Sequence, residues 1–197
     1  MGVNRLDKIH ITGGSPLHGS IRIQGSKNAA LPMMAAALLY PGISILRGCP
    51  RIADVLCMEK ILQTLGAKTW WQEHDLYLDC TEIEKSVIPG FYTEKMRSSV
   101  ILLGVLTGRL GKASMGYPGG CVIGKRPVDL HLYALQKFGV RIDEKKDFLQ
   151  ASCEKMRGAE IFFRGSSVGA TEQAVLSAVS ADGTTRIHNC AKEPEII

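Results

Sequence analysis

The sequence lacks the marks of several protein classes. None of its six cysteines forms a Cys-x-x-Cys pair, and none of its five histidines stands at zinc-ligand spacing from a cysteine. Neither a metal site nor a disulfide framework is therefore expected. The longest apolar run, residues 29–40, is interrupted by Pro32 and is shorter than the roughly 20 residues that a membrane span needs. No membrane partner is expected.

Aromatic residues are also scarce, at 6%, and the basic residues are spread along the chain rather than clustered. The sequence therefore does not predict a nucleic-acid partner. A net charge of +5 is mainly a property of a solvated surface and argues only mildly for small phosphorylated ligands. Residues 1–14 contain no continuous apolar core of the kind found in secretory signals, so a cytoplasmic location is expected.

What the sequence does contain is enough apolar material for a folded core. Hydrophobic residues make up 45% of the 197 positions and charged residues 22%, which is typical of globular domains. Most of the cysteines are expected to be small, buried and unreactive. Cys121 differs from the others because glycines surround it.

Three stretches of the chain follow one pattern. Each has a helix rich in Ala and Leu, a glycine, a β-prone run, a turn with proline, and an acidic residue that opens a second helix. The copies cover residues 28–66, 98–139 and 170–195. This self-similarity predicts an α/β fold of three βαβ-containing units. The third copy stops where its second helix is due, which predicts a truncated chain; alternatively, the last copy is a degenerate cap.

The clearest predicted element is the helix that begins at Asp54, its expected N-cap, and ends at Gly66, a left-handed terminator. A similar helix is predicted from Asp129 to Gly139, again with the aspartate as cap. Alternating residues predict strands within 68–78 and 140–151. Pro32 fits its helix only if that helix starts within about four residues before it.

Residues 24–31 (QGSKNAAL) predict a strand that runs through a glycine into the start of a helix. Backbone N–H groups and the helix dipole favour an anion at such a start, and Lys27 adds a full positive charge. The alternative is an ordinary helix cap with a solvated lysine.

The loop of residues 118–129 (PGGCVIGKRPVD) places Cys121 between glycines and close to Lys125 and Arg126. A cysteine in such surroundings is expected to be exposed and to have a lowered pKa, so that it can act as an acid or a nucleophile. The alternative is a glycine-rich turn whose cysteine is merely exposed.

A third basic segment, residues 95–99 (KMRSS), opens an apolar helix. Arg97 could hold a phosphate or a carboxylate with two hydrogen bonds. Its charge opposes the helix dipole, which hints at a bound anion, although charges at helix starts more often face water.

Together these segments resemble the family of UDP-N-acetylglucosamine 1-carboxyvinyltransferases, and the resemblance covers nearly all of the chain. Residues 25–31 (GSKNAAL) resemble the family's phosphoenolpyruvate motif. Residues 118–121 (PGGC), 123–124 (IG) and 126–130 (RPVDL) resemble its catalytic loop. Residues 167–171 (SVGAT) resemble its nucleotide-sugar segment, and residues 193–196 (EPEI) also fit.

The resemblance implies a role for each matching residue. Lys27 and Asn28 would contact phosphoenolpyruvate, and Cys121 would be the proton donor that the epoxide antibiotic fosfomycin attacks. Arg97 and Arg126 would hold anionic groups. The residues implied to line the UDP-sugar are Pro127, Val128, Asp129, Leu130, Gly165, Ser166, Ser167 and Val168. The family commonly has a lysine where Gly165 stands; Arg164 beside it could substitute.

The resemblance also implies an inside-out α/β barrel, in which each of two domains packs three similar units with helices inside and sheets outside. Residues 1–22 would be an opening strand of the second domain, and residues 23–197 would form most of the first. The remaining C-terminal domain would supply the general base, an aspartate. The expected substrates are phosphoenolpyruvate and UDP-N-acetylglucosamine, with no metal or other cofactor, and this chain alone is expected to be inactive.

Two alternatives stay open at this point. The related transferase that uses shikimate 3-phosphate shares the barrel but, as a family, lacks the Pro-Gly-Gly-Cys loop, so Cys121 favours the sugar nucleotide. A non-catalytic module that binds nucleotide sugars is the second alternative, and the retained Lys27, Arg97, Cys121 and Arg126 disfavour it. A nucleoside triphosphatase is excluded, because Gly111 and Lys112 lack the rest of the phosphate-binding motif.

Overall fold

A computed structural model of the chain describes residues 10–119 and 128–197. The α-helices are α1 (Lys27–Ala37), α2 (Ala53–Leu65), α3 (Gly90–Thr93), α4 (Ile101–Leu110), α5 (Asp129–Lys137) and α6 (Val168–Val179), with a 3₁₀ turn at Arg97–Val100. The strands are β1 (Ile43–Leu46), β2 (Lys68–Gln72), β3 (Asp75–Asp79), β4 (Val87–Ile88), β5 (Lys112–Gly116), β6 (Arg141–Lys145), β7 (Phe148–Ser152), β8 (Glu160–Phe162) and β9 (Arg186–His188). Helices and strands alternate, as expected for an α/β chain.

The strands form three separate sheets in the described residues. Their orders are β1-β3-β2, β4-β5-β7-β6 and β8-β9. The predicted strand regions 68–78 and 140–151 are confirmed, and each folds into two antiparallel strands, β2-β3 and β6-β7. Glu73 lies in the first of these turns and has φ of 52°, a left-handed conformation that closes the hairpin.

The repeated pattern of the sequence is visible as a repeated order of elements. The order helix, strand, helix, hairpin occurs twice, as α1-β1-α2-β2-β3 and as α4-β5-α5-β6-β7. The predicted third copy, residues 170–195, contains most of α6 and β9, and β9 pairs in parallel with β8, which precedes this copy. A turn at residues 194–196 follows β9, and no further helix occurs in the described residues.

The core lies around the helices. Every residue from Ile101 to Thr107 on α4 is buried, so this helix has no solvent-facing side over two turns. It packs against α6 and α1, and α5 also packs on α6. Gly104 permits the close approach of α4 to α6, because a Cβ there would lie 2.1 Å from Nε2 of Gln173 and 2.5 Å from Oγ of Ser177.

The end of α2 confirms the sequence prediction, whereas its start corrects it. Gly66 has φ of 117° and terminates the helix, as predicted. The N-cap is Ile52 rather than Asp54, and the N-cap of α5 is Val128 rather than Asp129. Both aspartates lie in the first turn, where a carboxylate still interacts favourably with the helix dipole. Their oxygens bind distant cations instead of backbone N–H groups.

The region before α1 differs from the expectation of a strand. Residues 10–26 contain no strand and are exposed. The helix α1 begins at Lys27, five residues before Pro32, so the proline lies deeper in the helix than the sequence analysis allowed. Proline has no N–H, so the Asn28 carbonyl loses its helical donor, and Asn28 is exposed to water that can replace it.

Residues 10–119 and 128–197 include no helix with the length and hydropathy of a membrane-spanning segment. No group of three or more His, Cys, Asp or Glu side chains in the same ranges is arranged to hold a metal ion.

Candidate active site

A cleft of about 380 Å³ opens where the first turns of several helices meet. Its lining includes the polar residues Asp54, Lys95, Arg97, His131 and Glu172, together with Gly169. These residues come from α2, the 3₁₀ turn and the segment before it, α5 and α6. Unpaired N–H groups and positive dipole ends at helix starts favour anions, whereas three carboxylates, those of Asp54, Glu94 and Glu172, also line the cleft.

The first predicted motif lies at the start of α1, beside this cleft. Ser26 is the N-cap, and its hydroxyl accepts a hydrogen bond from the N–H of Ala29. Lys27 donates from Nζ to Oδ2 of Asp54 over 2.9 Å, and each side chain is a little under half exposed. Asn28 follows Lys27 on the exposed side of the helix start. The lysine is therefore oriented by a carboxylate that itself lines the cleft.

Arg97, the third predicted cation, lines the same cleft. It is the first residue of the 3₁₀ turn that leads into α4, and it is partly buried. Its positive charge lies near His131, because it contributes to lowering the pKa of that imidazole. The structure thus brings Arg97 and Asp54, the partner of Lys27, to one cavity, although they are distant in sequence.

His131 was not identified from the sequence. Its side chain is only 3% exposed, and burial, followed by the nearby Arg97 charge, lowers its pKa to about 4. The imidazole is therefore neutral at pH 7, and its buried Nδ1 has no hydrogen-bond partner among the described residues. A Cβ on Gly169 would lie 3.0 Å from Cε1 of this ring. Only the position two residues after Asp129 could have drawn attention to it.

A second ion pair joins two of the predicted nucleotide-sugar segments. A guanidinium nitrogen of Arg164 donates to Oδ2 of Asp129, which opens α5. Ser167 is the N-cap of α6, and its hydroxyl accepts from the N–H of Ala170, as Ser26 does at α1. The positive charge beside Gly165 is therefore present but shared with a carboxylate.

The remaining residues predicted to line the sugar nucleotide differ in exposure. Gly165 and Ser166 are exposed, Leu130 and Val168 are partly buried, and Val128 is only 2% exposed. With so little exposed surface, the Val128 side chain offers a ligand almost no contact.

The predicted catalytic loop is described only at its two ends. Cys121, Arg126 and Pro127 lie outside the described residues. On one side, Gly119 lines the cleft and its N–H donates to the carbonyl of Thr93 over 3.1 Å. On the other side, Val128 begins α5, the helix that carries His131. The reactivity of Cys121 stays a prediction.

Three other thiols behave as expected for unreactive residues. Burial raises the pKa of Cys49 and of Cys80 to about 11, and it also raises the pKa of Cys57. Thiols of high pKa hold little thiolate at neutral pH and are poor nucleophiles.

Glu172 is a second cleft residue that the sequence analysis missed. It lies on α6, and burial together with the negative charges of Glu195 and Glu193 raises its pKa to about 7. It also borders an apolar groove between α1 and α6. Nothing in the local sequence signals this, because the three carboxylates meet only in the folded chain.

A larger cavity of about 500 Å³ lies on the sheet of β4, β5, β7 and β6, and Lys112 and Arg141 line it. It contains none of the predicted catalytic or substrate-binding residues. The smaller cleft is therefore the candidate active site.

The comparisons with known proteins define the class of this chain. Residues 11–197 match the family model of EPSP synthase (3-phosphoshikimate 1-carboxyvinyltransferase), and the chain belongs to this family of carboxyvinyltransferases. The enolpyruvyl transferase NikO from Streptomyces tendae has a similar fold, with a TM-score of 0.77 at 19% identity over 93% of this chain and 43% of that one. The α/β architecture is thus that of an enolpyruvyl transferase.

The names of curated relatives specify the acceptor substrate of those proteins. The chain is 44% identical over 191 residues to UDP-N-acetylglucosamine 1-carboxyvinyltransferase 2 of Caldanaerobacter subterraneus subsp. tengcongensis, covering 97% of this chain and 46% of the relative. It is 42% identical over 193 residues to UDP-N-acetylglucosamine 1-carboxyvinyltransferase 1 of Symbiobacterium thermophilum, covering 95% of this chain and 44% of that protein. The chain therefore spans somewhat less than half the length of these relatives.

Proposed function

We propose that this chain forms one side of the active site of an enolpyruvyl transferase. The enzyme moves the enolpyruvyl group of phosphoenolpyruvate onto the 3-hydroxyl of UDP-N-acetylglucosamine, the first committed step of peptidoglycan synthesis, in the cytoplasm. The names of relatives at 42–44% identity support this substrate. The shikimate 3-phosphate alternative rests on the family's name and has weaker support.

One observation of the structure carries the proposal. Arg97 lines the cleft at the starts of the helices, and Lys27 is joined to this cleft through its hydrogen bond to Asp54, which is a lining residue. The start of α6, which carries Gly169, borders the cleft as well. Phosphoenolpyruvate carries a phosphate and a carboxylate, and the UDP-sugar carries a diphosphate. Such ligands need fixed positive charge of this kind.

The reaction proceeds by addition and elimination. The sugar 3-hydroxyl attacks C2 of phosphoenolpyruvate as an acid protonates C3, giving a tetrahedral phospholactoyl adduct. Loss of a proton from C3 then expels phosphate and leaves the enolpyruvyl ether. Cys121 is the proposed proton donor, and Lys27, Asn28, Arg97 and Arg126 hold the anionic groups. The general base is proposed to come from the other half of the enzyme.

The proposed architecture is the inside-out barrel of three units. Within the described residues, the groove between α1 and α6 is lined by Met33 and Val175, which are 50% and 40% exposed. The second helix of a third unit would cover these apolar side chains. Residues 23–197 would then form most of one domain, and residues 1–22 would belong to the second.

A site shared by two domains closes around its substrates and excludes water. When only one side of the active site is present, the anionic groups of the substrates stay hydrated. Each exposed charged contact then contributes roughly 0 to 1 kcal/mol to the free energy of binding. We therefore expect the 197-residue chain alone to bind UDP-N-acetylglucosamine no more tightly than millimolar and to release no phosphate from phosphoenolpyruvate. Micromolar binding measured by calorimetry would show that the second domain is dispensable for substrate binding.

The proposed function is tested by the acceptor that the full-length gene product requires. Phosphate release from phosphoenolpyruvate is measured with UDP-N-acetylglucosamine, with shikimate 3-phosphate and with no acceptor. We expect release only with the sugar nucleotide. Release only with shikimate 3-phosphate would establish the related synthase instead, and binding of the sugar nucleotide without release would establish the non-catalytic module.

A further inference from the structure

The contact between Lys27 and Asp54 differs from the other lysine–carboxylate pairs of the described residues. Its two side chains are 45% and 44% exposed. In the pairs Lys68–Glu82, Lys145–Asp143 and Lys155–Asp182, every side chain is at least 56% exposed. The Lys27–Asp54 pair is thus the one best shielded from water, and shielding strengthens an ion pair.

The position of Asp54 is well determined by its helix. The residue lies in the first turn of α2, whose next residue, Val55, and whose Met58 are fully buried. No side-chain hydrogen bond caps this helix, so the Asp54 carboxylate is not used for capping. Asp54 also lines the cleft together with Arg97. A rigid helix therefore presents a carboxylate to both Lys27 and the cleft.

The same arrangement occurs a second time in the chain. Asp129, in the first turn of α5, binds Arg164, which lies three residues before the N-cap Ser167. Lys27 follows the N-cap Ser26 directly. In both cases, an aspartate in the first turn of one helix binds a cation from a segment near the start of another. Arg164 is 76% exposed, however, so the Lys27–Asp54 pair is the better shielded of the two.

We propose that Asp54 is a positioning residue that holds Lys27 toward the phosphoenolpyruvate site. This inference rests on the proposed function, since Lys27 is the residue through which Asp54 acts. The lysine side chain has four rotatable bonds and therefore adopts many rotamers when nothing restrains it. An ion pair to a fixed helix selects the rotamers that point toward the cleft before the substrate arrives, and preorganised charge is what stabilises a transition state.

The charge of Asp54 also has an opposite effect on binding. A carboxylate next to the cleft repels the phosphate and carboxylate of phosphoenolpyruvate. Replacing Asp54 by asparagine therefore removes a repulsion in the ground state and removes the orientation of Lys27 at the same time. A positioning role thus predicts that kcat falls while KM for phosphoenolpyruvate does not rise. Loss of folded enzyme would also lower the apparent kcat without changing KM, so recovery of kcat by a variant that keeps the carboxylate distinguishes positioning from damage to the fold.

The experiment uses steady-state kinetics of the full-length gene product with phosphoenolpyruvate as the varied substrate. In Asp54→Asn, we expect kcat to fall about 10- to 100-fold, with KM for phosphoenolpyruvate unchanged or lower. Asp54→Glu keeps the charge and should recover part of kcat. Asp182→Asn is the matched control, because Asp182 also binds a lysine 27 positions away in sequence, but near the opposite end of α6.

Each outcome has a distinct meaning. Wild-type kcat in Asp54→Asn, or a loss of the same size in Asp182→Asn, overturns the positioning role and leaves the proposed function intact. A fall in kcat that is not relieved by Asp54→Glu also overturns it. Absence of turnover in the wild-type enzyme with either acceptor overturns the proposed function itself, and the inference with it.

Discussion

The middle of α6 and its first turn meet very different demands. In the middle, Gln173 and Ser177 are buried against α4, and Gly104 leaves the space they need. At the first turn, Gly169 borders a polar cleft, and Glu172 at the start of the next turn borders it as well. The packing of the middle of α6 depends on the shape of its side chains, because any added atom collides with a neighbour. The function of the cleft end depends on charge. Mutations at the two places should therefore affect different measurements.

The largest effect is expected for Arg97→Ala at the cleft. Removing one preorganised charge that binds a reacting anion typically costs about 100- to 1000-fold in turnover. We expect a loss of kcat/KM of this order in the full-length gene product, measured by phosphate release, with little change in thermal stability. Arg141→Ala is the control. Arg141 lines the separate cavity on the sheet of β4, β5, β7 and β6, so this variant should keep wild-type kinetics.

The next effect is expected where Gly104 of α4 packs against the middle of α6, and it concerns stability. Gly104→Ala places a Cβ 2.1 Å from Nε2 of Gln173, which is fully buried and cannot swing into solvent. Overpacking of this kind costs roughly 1–3 kcal/mol in the free energy of unfolding, which outweighs the gain in helix propensity. Urea unfolding followed by circular dichroism measures it. Gly13→Ala, in open space, is the control; equal stabilities of the two variants would contradict the close packing.

A smaller effect that depends on pH is expected at Glu172. Its pKa is about 7 in the folded chain and near the ordinary 4.5 when unfolded, so the folded state holds a proton that the unfolded state releases. Stability is therefore full below pH 4.5 and decreases as the pH rises through 7. Because the side chain is partly exposed, the loss is roughly 1 kcal/mol.

Glu172→Gln removes this loss. We expect the variant to be more stable than the wild type at pH 8 and equal to it near pH 4, measured by thermal unfolding of the 197-residue chain. Exposed Glu84→Gln is the control. A stability difference that does not change between pH 4 and pH 8 would show that the carboxylate cluster does not form.

The same comparison explains what the sequence could predict. The apolar spacing of Met58, Ile61, Leu62 and Leu65 predicted a buried helix face, and all four are fully buried. Glycine at position 66 predicted the helix end, since a left-handed residue is needed there. These features depend on local geometry, which residues close in sequence determine.

Features that depend on distant residues were predicted less well. Asp54 and Asp129 resemble N-caps in sequence, but each binds a cation 27 or 35 positions away, and the local rule could not anticipate this competition. His131 and Glu172 have perturbed pKa values only because other elements bury them. Lys27 and Arg97 were selected as site residues through a family resemblance, and their roles stay predictions; the structure places Arg97 in the cleft and Lys27 on Asp54, a lining residue.

The central claim is that the cleft at the helix starts binds the substrates. The most direct measurement is a titration of the isotope-labelled 197-residue chain with phosphoenolpyruvate and UDP-N-acetylglucosamine, followed by NMR, which detects millimolar binding. We expect chemical-shift changes at Lys27, Asp54, Arg97 and Gly169. Shifts confined to Lys112 and Arg141, in the cavity on the sheet of β4, β5, β7 and β6, would contradict binding at the cleft.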